Sequence, residues 1–423
     1  MGVVRGKSLD VAKMNKLPLF FFFISAFLIS RLLIKVNLPQ RIVSWLVFRK
    51  PISLPTITFY LLGASAFLSF IIPNAITVLT LLPIMAILKK AFDELYPNNK
   101  SLSSLISLSV IYGANIGGMG SVTATPANGI FIGALKLNNI EAIEQVSFAG
   151  WLVWGIPLVT IFILIAWLLL SISFNAFSKQ YKNIDFQQNR VEGKQWPAKS
   201  HFEKLSIYLT VSYFIIAFGT SALVNIFPSY IYYWVAISGL MTTSLVIFLF
   251  IIPIYEGKGT QQKKSILRIK DLYSGLPRKG VVLLLVVTII GAILYAVGIK
   301  EIFTDFVRLN IPTGFSVTML LLVIALFTTF STELLSNTVV QLSMFAVIIS
   351  LAEATGLPLV VAMLIATLSS TCAFMSPLAT AVNGLAFGGV HGVSLKRMLT
   401  VGFLMNIAGA FVITYWVPLF ISN

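Results

Sequence analysis

Four clusters of polar residues sit inside stretches that are otherwise apolar, and their types limit the chemistry open to them. Ser336, Asn337 and Thr338, with Glu333 just upstream, interrupt TFSTELLSNTVVQLSMF (residues 329–345), and Asn74, between Pro73 and Ala75, interrupts the apolar block 57–88. The segments SVTATPANGIFIG (121–133) and SPLATAVNGLAFG (376–388) carry Thr125, Pro126 and Asn128, and Thr380 and Asn383. In apolar surroundings each unpaired polar group costs several kcal/mol, so something must engage them. Hydroxyls and carboxamides offer donors and acceptor oxygens, which is binding chemistry. There are no paired intramembrane carboxylates, no His-rich cluster and no nucleophile–base pair, which argues against an enzyme and against a protein metal centre. The single Cys372 excludes an internal disulfide and a Cys-based metal cluster.

The elements that must position these residues are membrane helices. With 423 residues, 57% of them hydrophobic and 10% charged, and a mean hydropathy of +0.93, the chain is an all-α polytopic membrane protein. The apolar runs are continuous, without the period-two alternation of a barrel. The net charge of +16 lies in loops between apolar segments, as membrane topology requires, and nucleic acid is excluded as a partner. His201 and His391 fall in loops. No cleavable signal stands out after the basic segment 1–17, so the first apolar run reads as a crossing.

Crossings are expected at 18–36, 103–134, 148–171, 206–225, 229–253, 280–298, 358–388 and 397–420, with a basic interfacial piece at 37–55. Two over-long blocks, 57–90 and 314–352, read as re-entrant hairpins with tips at Pro73-Asn74-Ala75 and Ser336-Asn337-Thr338. The Gly-, Thr- and Asn-rich crossings 103–134 and 358–388 read as broken helices. That makes about eight crossings plus two hairpins. AFLSFIIPNAITVLTLLPIMAIL matches LFTTFSTELLSNTVVQLSMFAVI, so the chain is an internal duplication, with a first repeat at 18–171, a loop at 172–205 and a second repeat at 206–420. An odd number of crossings separates the copies, which inverts one against the other. Placing 31–56, 89–102, 172–205, 254–279 and 389–397 on the cytoplasmic face collects about 23 of the 30 Lys and Arg there. Arg5, Lys7, Lys13 and Lys16 then fall outside, against the rule, which an unusual start or missing upstream helices would explain. Two inverted copies with broken helices predict a secondary transporter with a site near the midplane.

TELLSNT with ATAVN downstream, and FLSFIIPNA with GGMGSVTATPAN downstream, resemble the divalent anion/sodium symporter family of di- and tricarboxylate transporters, over about residues 18–420. The resemblance implies that tips and broken helices together bind a carboxylate substrate and two sodium ions. Substrate contacts would come from Asn74, Thr125, Ser336, Asn337, Thr338 and Thr380. Sodium would be held by Ser69, Asn74 and Ala124 in one copy and by Thr332, Asn337 and Ala379 in the other. Pro126, Asn128, Glu333 and Asn383 would support them. Pro73 and Ala75 replace the family's Ser and Thr at the first tip, so binding is expected to lean on the second tip. The family has three further helices ahead of the first crossing; a homodimer is the assembly it implies.

The expectation is therefore a multi-pass protein of a bacterial inner membrane, without a cofactor beyond coupling sodium. It would move small divalent organic anions by alternating access in the lipid bilayer. The alternatives are a sodium-independent exchanger, a proton-coupled carrier, a sulfate-type transporter and a transport-dead interaction protein. Glu333 stands between two roles, a brace for the hairpin and a proton-coupling acid. Gly117 and Gly118 either admit a close helix approach or belong to the site.

Overall fold

The computed structural model describes residues 17–36, 38, 41, 51–122, 124–137, 148–186, 201–227, 230–255, 263–273, 293, 296–297 and 315–421. The basic start, most of the interfacial piece and most of the crossing at 280–298 lie outside the described residues. In chain order the helices are α1 (Leu17–Lys35), α2 (Leu54–Ser69), α3 (Asn74–Leu95), α4 (Ser101–Gly117), α5 (Pro126–Leu137), α6 (Phe148–Ser173), α7 (His201–Ile226) and α8 (Ile231–Phe250). Strands β1 (Pro253–Tyr255) and β2 (Lys263–Ser265) come next, then α9 (Ile269–Tyr273), α10 (Val317–Ser331), α11 (Asn337–Thr355), α12 (Leu359–Ser370), α13 (Ala381–Gly389) and α14 (Leu395–Trp416). Among the described residues five helical stretches are long and apolar enough to cross a membrane: Asn74–Leu95, Ala149–Ser173, Tyr232–Phe250, Asn337–Thr355 and Leu395–Leu419. The protein is an all-α multi-pass membrane protein; among the described residues its β-structure is one short ribbon and an isolated bridge between Ile52 and Ile184. That ribbon lies in what reads from sequence as an irregular basic loop, where Ile254 pairs with Lys264 and Tyr255 with Lys263, β-branched and aromatic residues favouring the strand.

Contacts divide the chain into two compact units. In one, α1 packs against α7, α8 and α9. Ser25 and Thr242 share a buried hydroxyl pair at 2.9 Å, and the Thr242 hydroxyl also donates to the Phe21 carbonyl. At the end of α1, Lys35 Nζ donates to the Ile266 carbonyl at 2.7 Å and to Asp271 at 2.8 Å. Burial alone would raise the Asp271 carboxyl, but the hydrogen bonds from Lys35 and the Arg268 N–H outweigh it and hold the group below the usual carboxylate range.

The other unit carries both hairpins, both broken helices, α14 and α6 from Trp154 onward. In each hairpin the two arms pack on each other, α2 on α3 and α10 on α11. The arm α3 runs to Leu95, five residues past the expected end of the hairpin, and Lys89 pairs with Asp93 on that last turn. The halves of the broken helices have 17 and 12 residues in the first copy and 12 and 9 in the second. At about 1.5 Å per residue, none reaches across a core of about 30 Å by itself. Each break therefore lies at depth, and its backbone groups have to be paired inside the protein.

Helices α2 and α4 approach each other closely. A Cβ placed on Gly117 would stand 2.2 Å from the Ala66 carbonyl oxygen and 2.7 Å from its Cα, and one on Gly113 would stand 2.4 Å from the Leu62 carbonyl oxygen. Small residues four apart let the two backbones touch, and the Ser65 hydroxyl uses the proximity to donate to the Val110 carbonyl at 2.8 Å. Because the clash is with backbone and not with a side chain that can swing away, Gly117→Ala is expected to cost about 3 kcal/mol. Gly63, on the same helix α2 with nothing within 4 Å of its Cβ position, is the control: Gly63→Ala should be neutral or stabilising by up to about 1 kcal/mol. Thermal unfolding of the two detergent-purified variants measures the difference.

Candidate functional site

Each hairpin tip ends one helix and begins the next on an asparagine. In the first copy α2 stops at Ser69 and α3 begins at Asn74; in the second α10 stops at Ser331 and α11 begins at Asn337. Helix N-termini carry unpaired N–H groups and the positive end of the dipole, which suits an anion. Ser336 caps α11, its hydroxyl accepting from the Val339 N–H at 3.4 Å. Pro73 stands at the corresponding place before α3 and provides no side-chain cap. The amide oxygens of Asn74 and Asn337 are both buried without a hydrogen-bond partner, an arrangement that costs energy unless a donor or cation meets the oxygen.

The nearby hydroxyls use their protons locally. Ser69 donates to Thr77 at 3.2 Å, both buried, and Thr332 donates to the Thr329 carbonyl at 2.8 Å. With the proton committed, each oxygen can still accept, the polarity a hard cation needs. Thr77 falls outside the repeated motifs; a hydroxyl one turn after Asn74 on a buried helix face is the signal that marks it. Ser336, Asn337 and Thr338 are half-buried, and Ala124 and Ala379 are buried, each giving its N–H to the serine three residues back, Ser121 at 3.2 Å and Ser376 at 3.3 Å.

The two breaks are held by the same device. Asn128 Nδ2 donates to the carbonyls of Gly118 (3.0 Å) and Ser121 (2.8 Å), and Asn383 Nδ2 donates to those of Ala373 and Ser376, both at 2.8 Å. In each case the partners lie ten and seven residues upstream. One carboxamide thus replaces two helical bonds that the interruption forfeits. Thr125 and Thr380 cap the second half-helices, accepting from the N–H of Asn128 at 3.4 Å and of Asn383 at 3.1 Å, and Pro126 opens α5 at a position where its missing N–H is not needed. The copies differ at the amide oxygen: Thr380 gives its proton to Asn383 Oδ1 at 3.0 Å, whereas Asn128 Oδ1 is buried without a partner.

Tip and break are joined differently in the two copies. Glu333 Oε1 accepts from the N–H groups of Phe374 (2.8 Å) and Met375 (2.9 Å) and from Asn406 Nδ2 (2.7 Å), and Oε2 accepts from the Ser376 N–H (2.7 Å). Of the two roles open to Glu333, this geometry favours the brace. The matching position of the first copy is Phe70, whose ring lies over Gly120, where a Cβ would stand 2.0 Å from it, and whose carbonyl accepts from the Ser121 hydroxyl at 3.0 Å. Gly117 and Gly118 separate into the two roles proposed for them. Gly117 meets the backbone of α2, while a Cβ on Gly118 would stand 2.7 Å from Asn74 Nδ2 and 2.6 Å from Thr125 Cγ2. Gly118 thus brings the Asn74 amide and Thr125 together.

Contacts also run between the copies. The half-helix α5 packs on α11 and α12 of the second copy, and α13 packs on α3 and α4 of the first. Two further carboxamides bridge them. Asn115 Nδ2 donates to the Ala373 carbonyl at 2.9 Å and Asn383 Oδ1 at 3.1 Å, and Gln341 Nε2 donates to the Ala127 carbonyl at 2.8 Å and Thr367 Oγ1 at 3.0 Å. Repeat matching passes over both, because Ser370 and Val78 stand at their counterparts; their own signal is a lone amide within an apolar helix.

Paired helix tips beside interrupted helices, in a chain of membrane-spanning helices, are the features of α-helical secondary transporters. The sodium:sulfate symporter transmembrane region matches residues 13–422, and the chain belongs to that family, the divalent anion/sodium symporters. It is 26% identical over 410 residues to the sodium-dependent dicarboxylate transporter SdcS of Staphylococcus saprophyticus, covering 93% of this chain and 74% of that protein. Its identity to the SdcS of Staphylococcus aureus strain NCTC 8325 is 28% over 411 residues, with the same coverage.

The brace at Glu333 makes a graded expectation. Glu333→Ala removes the acceptor of one buried and two part-buried backbone N–H groups and of the buried Asn406 amide, each worth about 1–3 kcal/mol when left unpaired in the interior, for a loss of about 3–5 kcal/mol once the part-buried groups find other partners. Glu333→Gln keeps one acceptor oxygen and should cost about 1–2 kcal/mol. Thermal unfolding in one detergent, with Asn406→Ala expected near the milder variant, ranks the three.

Proposed function

We propose that this protein is a sodium-coupled secondary transporter of small dicarboxylates, acting by alternating access in a bacterial plasma membrane. The observation that carries the reading is the pair of buried, unpartnered amide oxygens of Asn74 and Asn337, each on the first residue of a helix. A carboxamide presents an oxygen to a cation and an NH2 to an anion. One residue can therefore sense both ligands, and the free-energy coupling that symport requires arises from shared contacts. The N-terminal N–H groups of α3, α5, α11 and α13 supply donors that need no full positive charge. In this reading the dicarboxylate is bound by Asn74, Thr125, Ser336, Asn337, Thr338 and Thr380. Sodium is held by Ser69, Asn74 and Ala124 on one side and by Thr332, Asn337 and Ala379 on the other. The names of the staphylococcal relatives, sodium-dependent dicarboxylate transporters, support the substrate class and the ion.

The two sides are unequal. Ser336 caps its helix and Pro73 does not, so the second tip is the better ordered donor set. The inverted arrangement of the two copies, proposed from the charge pattern, places the tips on opposite faces of the membrane, where each can gate one side.

Uptake of labelled succinate into proteoliposomes tests the reading. An inward sodium gradient should drive accumulation, and replacing sodium by potassium should reduce it at least about tenfold, the scale of a coupling free energy of 1–3 kcal/mol. Asn337→Ala should abolish uptake, and Asn74→Ala should weaken it less. Equal uptake in both cations would instead identify a sodium-independent exchanger, and sulfate uptake without succinate uptake would reassign the substrate.

A further inference from the structure

We propose that Asn115 and Gln341 are positioning residues that carry the state of each half of the site to the other. The inference rests on the reading of tips and breaks as one ion-coupled binding site, and goes beyond it by naming what connects the halves.

Gln341 lies four residues, about one helical turn, after Asn337 on α11, so the two ride on the same rigid segment. Its side chain is fully buried, and its amide holds the Ala127 carbonyl at 2.8 Å. Ala127 is the second residue of α5 and stands between Pro126 and Asn128, two residues after Thr125. A displacement of the second tip therefore reaches the donors of the first break through one helical turn and one hydrogen bond. Asn115 provides the return path. It lies three residues before Gly118, where the first break begins and where the Asn74 amide packs. Its buried amide holds Ala373 and Asn383, the two groups that define the second break. Each copy thus reaches into the other's interruption, and neither bridge has a symmetric counterpart, since Val78 and Ser370 carry no carboxamide. Packing brings α5 against α11 and α13 against α4, so the bridges sit in continuous contact surfaces. The break is the element able to take two arrangements; the bridges make its arrangement depend on the opposite tip.

Two measurements on the purified full chain test this. The first is hydrogen exchange of the unliganded protein, read by mass spectrometry. Gln341→Met, which keeps volume and removes the donor, should quicken exchange over residues 124–131 while leaving 373–384 unchanged. Asn115→Leu should do the reverse. The second is succinate affinity with and without sodium, read from thermal stabilisation. Gln341→Met should reduce the sodium-dependent gain in affinity about fivefold or more, a shift at the lower end of ordinary coupling factors. Thr367→Val, which removes the other partner of Gln341 but keeps the bond to Ala127, should preserve that gain. Exchange that changes only around the substituted residue overturns the proposal, as does a sodium gain within about twofold of wild type in Gln341→Met or an equal loss in Thr367→Val. A wild type with no response to succinate or sodium would count against the transport reading alone, since the exchange arms still decide whether the halves are linked.

Discussion

Interrupting a helix at membrane depth exposes backbone groups that lipid cannot satisfy, and the unit that carries the hairpins is arranged to satisfy them from within. The carboxamides of Asn128 and Asn383 do so with the same pair of bonds, ten and seven residues back. With its carbonyls tied down in this way, a break can turn its N–H groups and hydroxyls toward a ligand without collapsing. Gly118, Thr125 and Thr380 matter because they act at the edges of that frame, one by leaving room for Asn74 and the other two by capping α5 and α13.

The copies have diverged in how the tip is tied to the break. In the second, a carboxylate collects three backbone N–H groups and one side-chain amide; in the first, an aromatic ring on Gly120 and a hydroxyl–carbonyl bond do the corresponding work. Charge-assisted bonds are stronger and more directional than neutral ones, so the second half of the site is the more rigid. The uncapped start of α3 at Pro73 points the same way. The two frames are alike in their breaks and differ at Phe70/Glu333 and Pro73/Ser336, where the second is tied more firmly.

Much of this is legible in the residues themselves. Long apolar runs announce membrane helices, and polar interruptions that recur in two copies, as Asn74 and Asn337 do, argue against incidental packing. Asn128 and Asn383 stand out by the same repetition, although only coordinates reveal that they brace carbonyls. The pattern hides whatever is not repeated. Gln341 and Asn115 bond across 214 and up to 268 residues of sequence, and nothing local distinguishes such an amide from one that merely packs. The division of labour between Gly117 and Gly118 is hidden for a related reason: adjacent residues on a helix face different neighbours, and only the position of α2 decides which. The ribbon in the basic loop is hidden too, because three-residue strands are too short to show periodicity.

The reciprocal packing of α5 and α13 has a consequence for how the protein is made. Chain synthesis runs at roughly 5–20 residues per second, and the Ala127 carbonyl waits 214 residues for its partner at Gln341. At that rate of synthesis the wait is on the order of ten to forty seconds, during which the first interrupted helix must sit in the membrane with its bridge to the second copy unmade. Over that interval the first copy has to rely on its own Asn128, on the close approach of Gly117 to Ala66 and on the membrane insertion machinery. Neither half of the site can reach its final form before the second hairpin has entered the bilayer, so the protein becomes competent to bind only once that hairpin is in place.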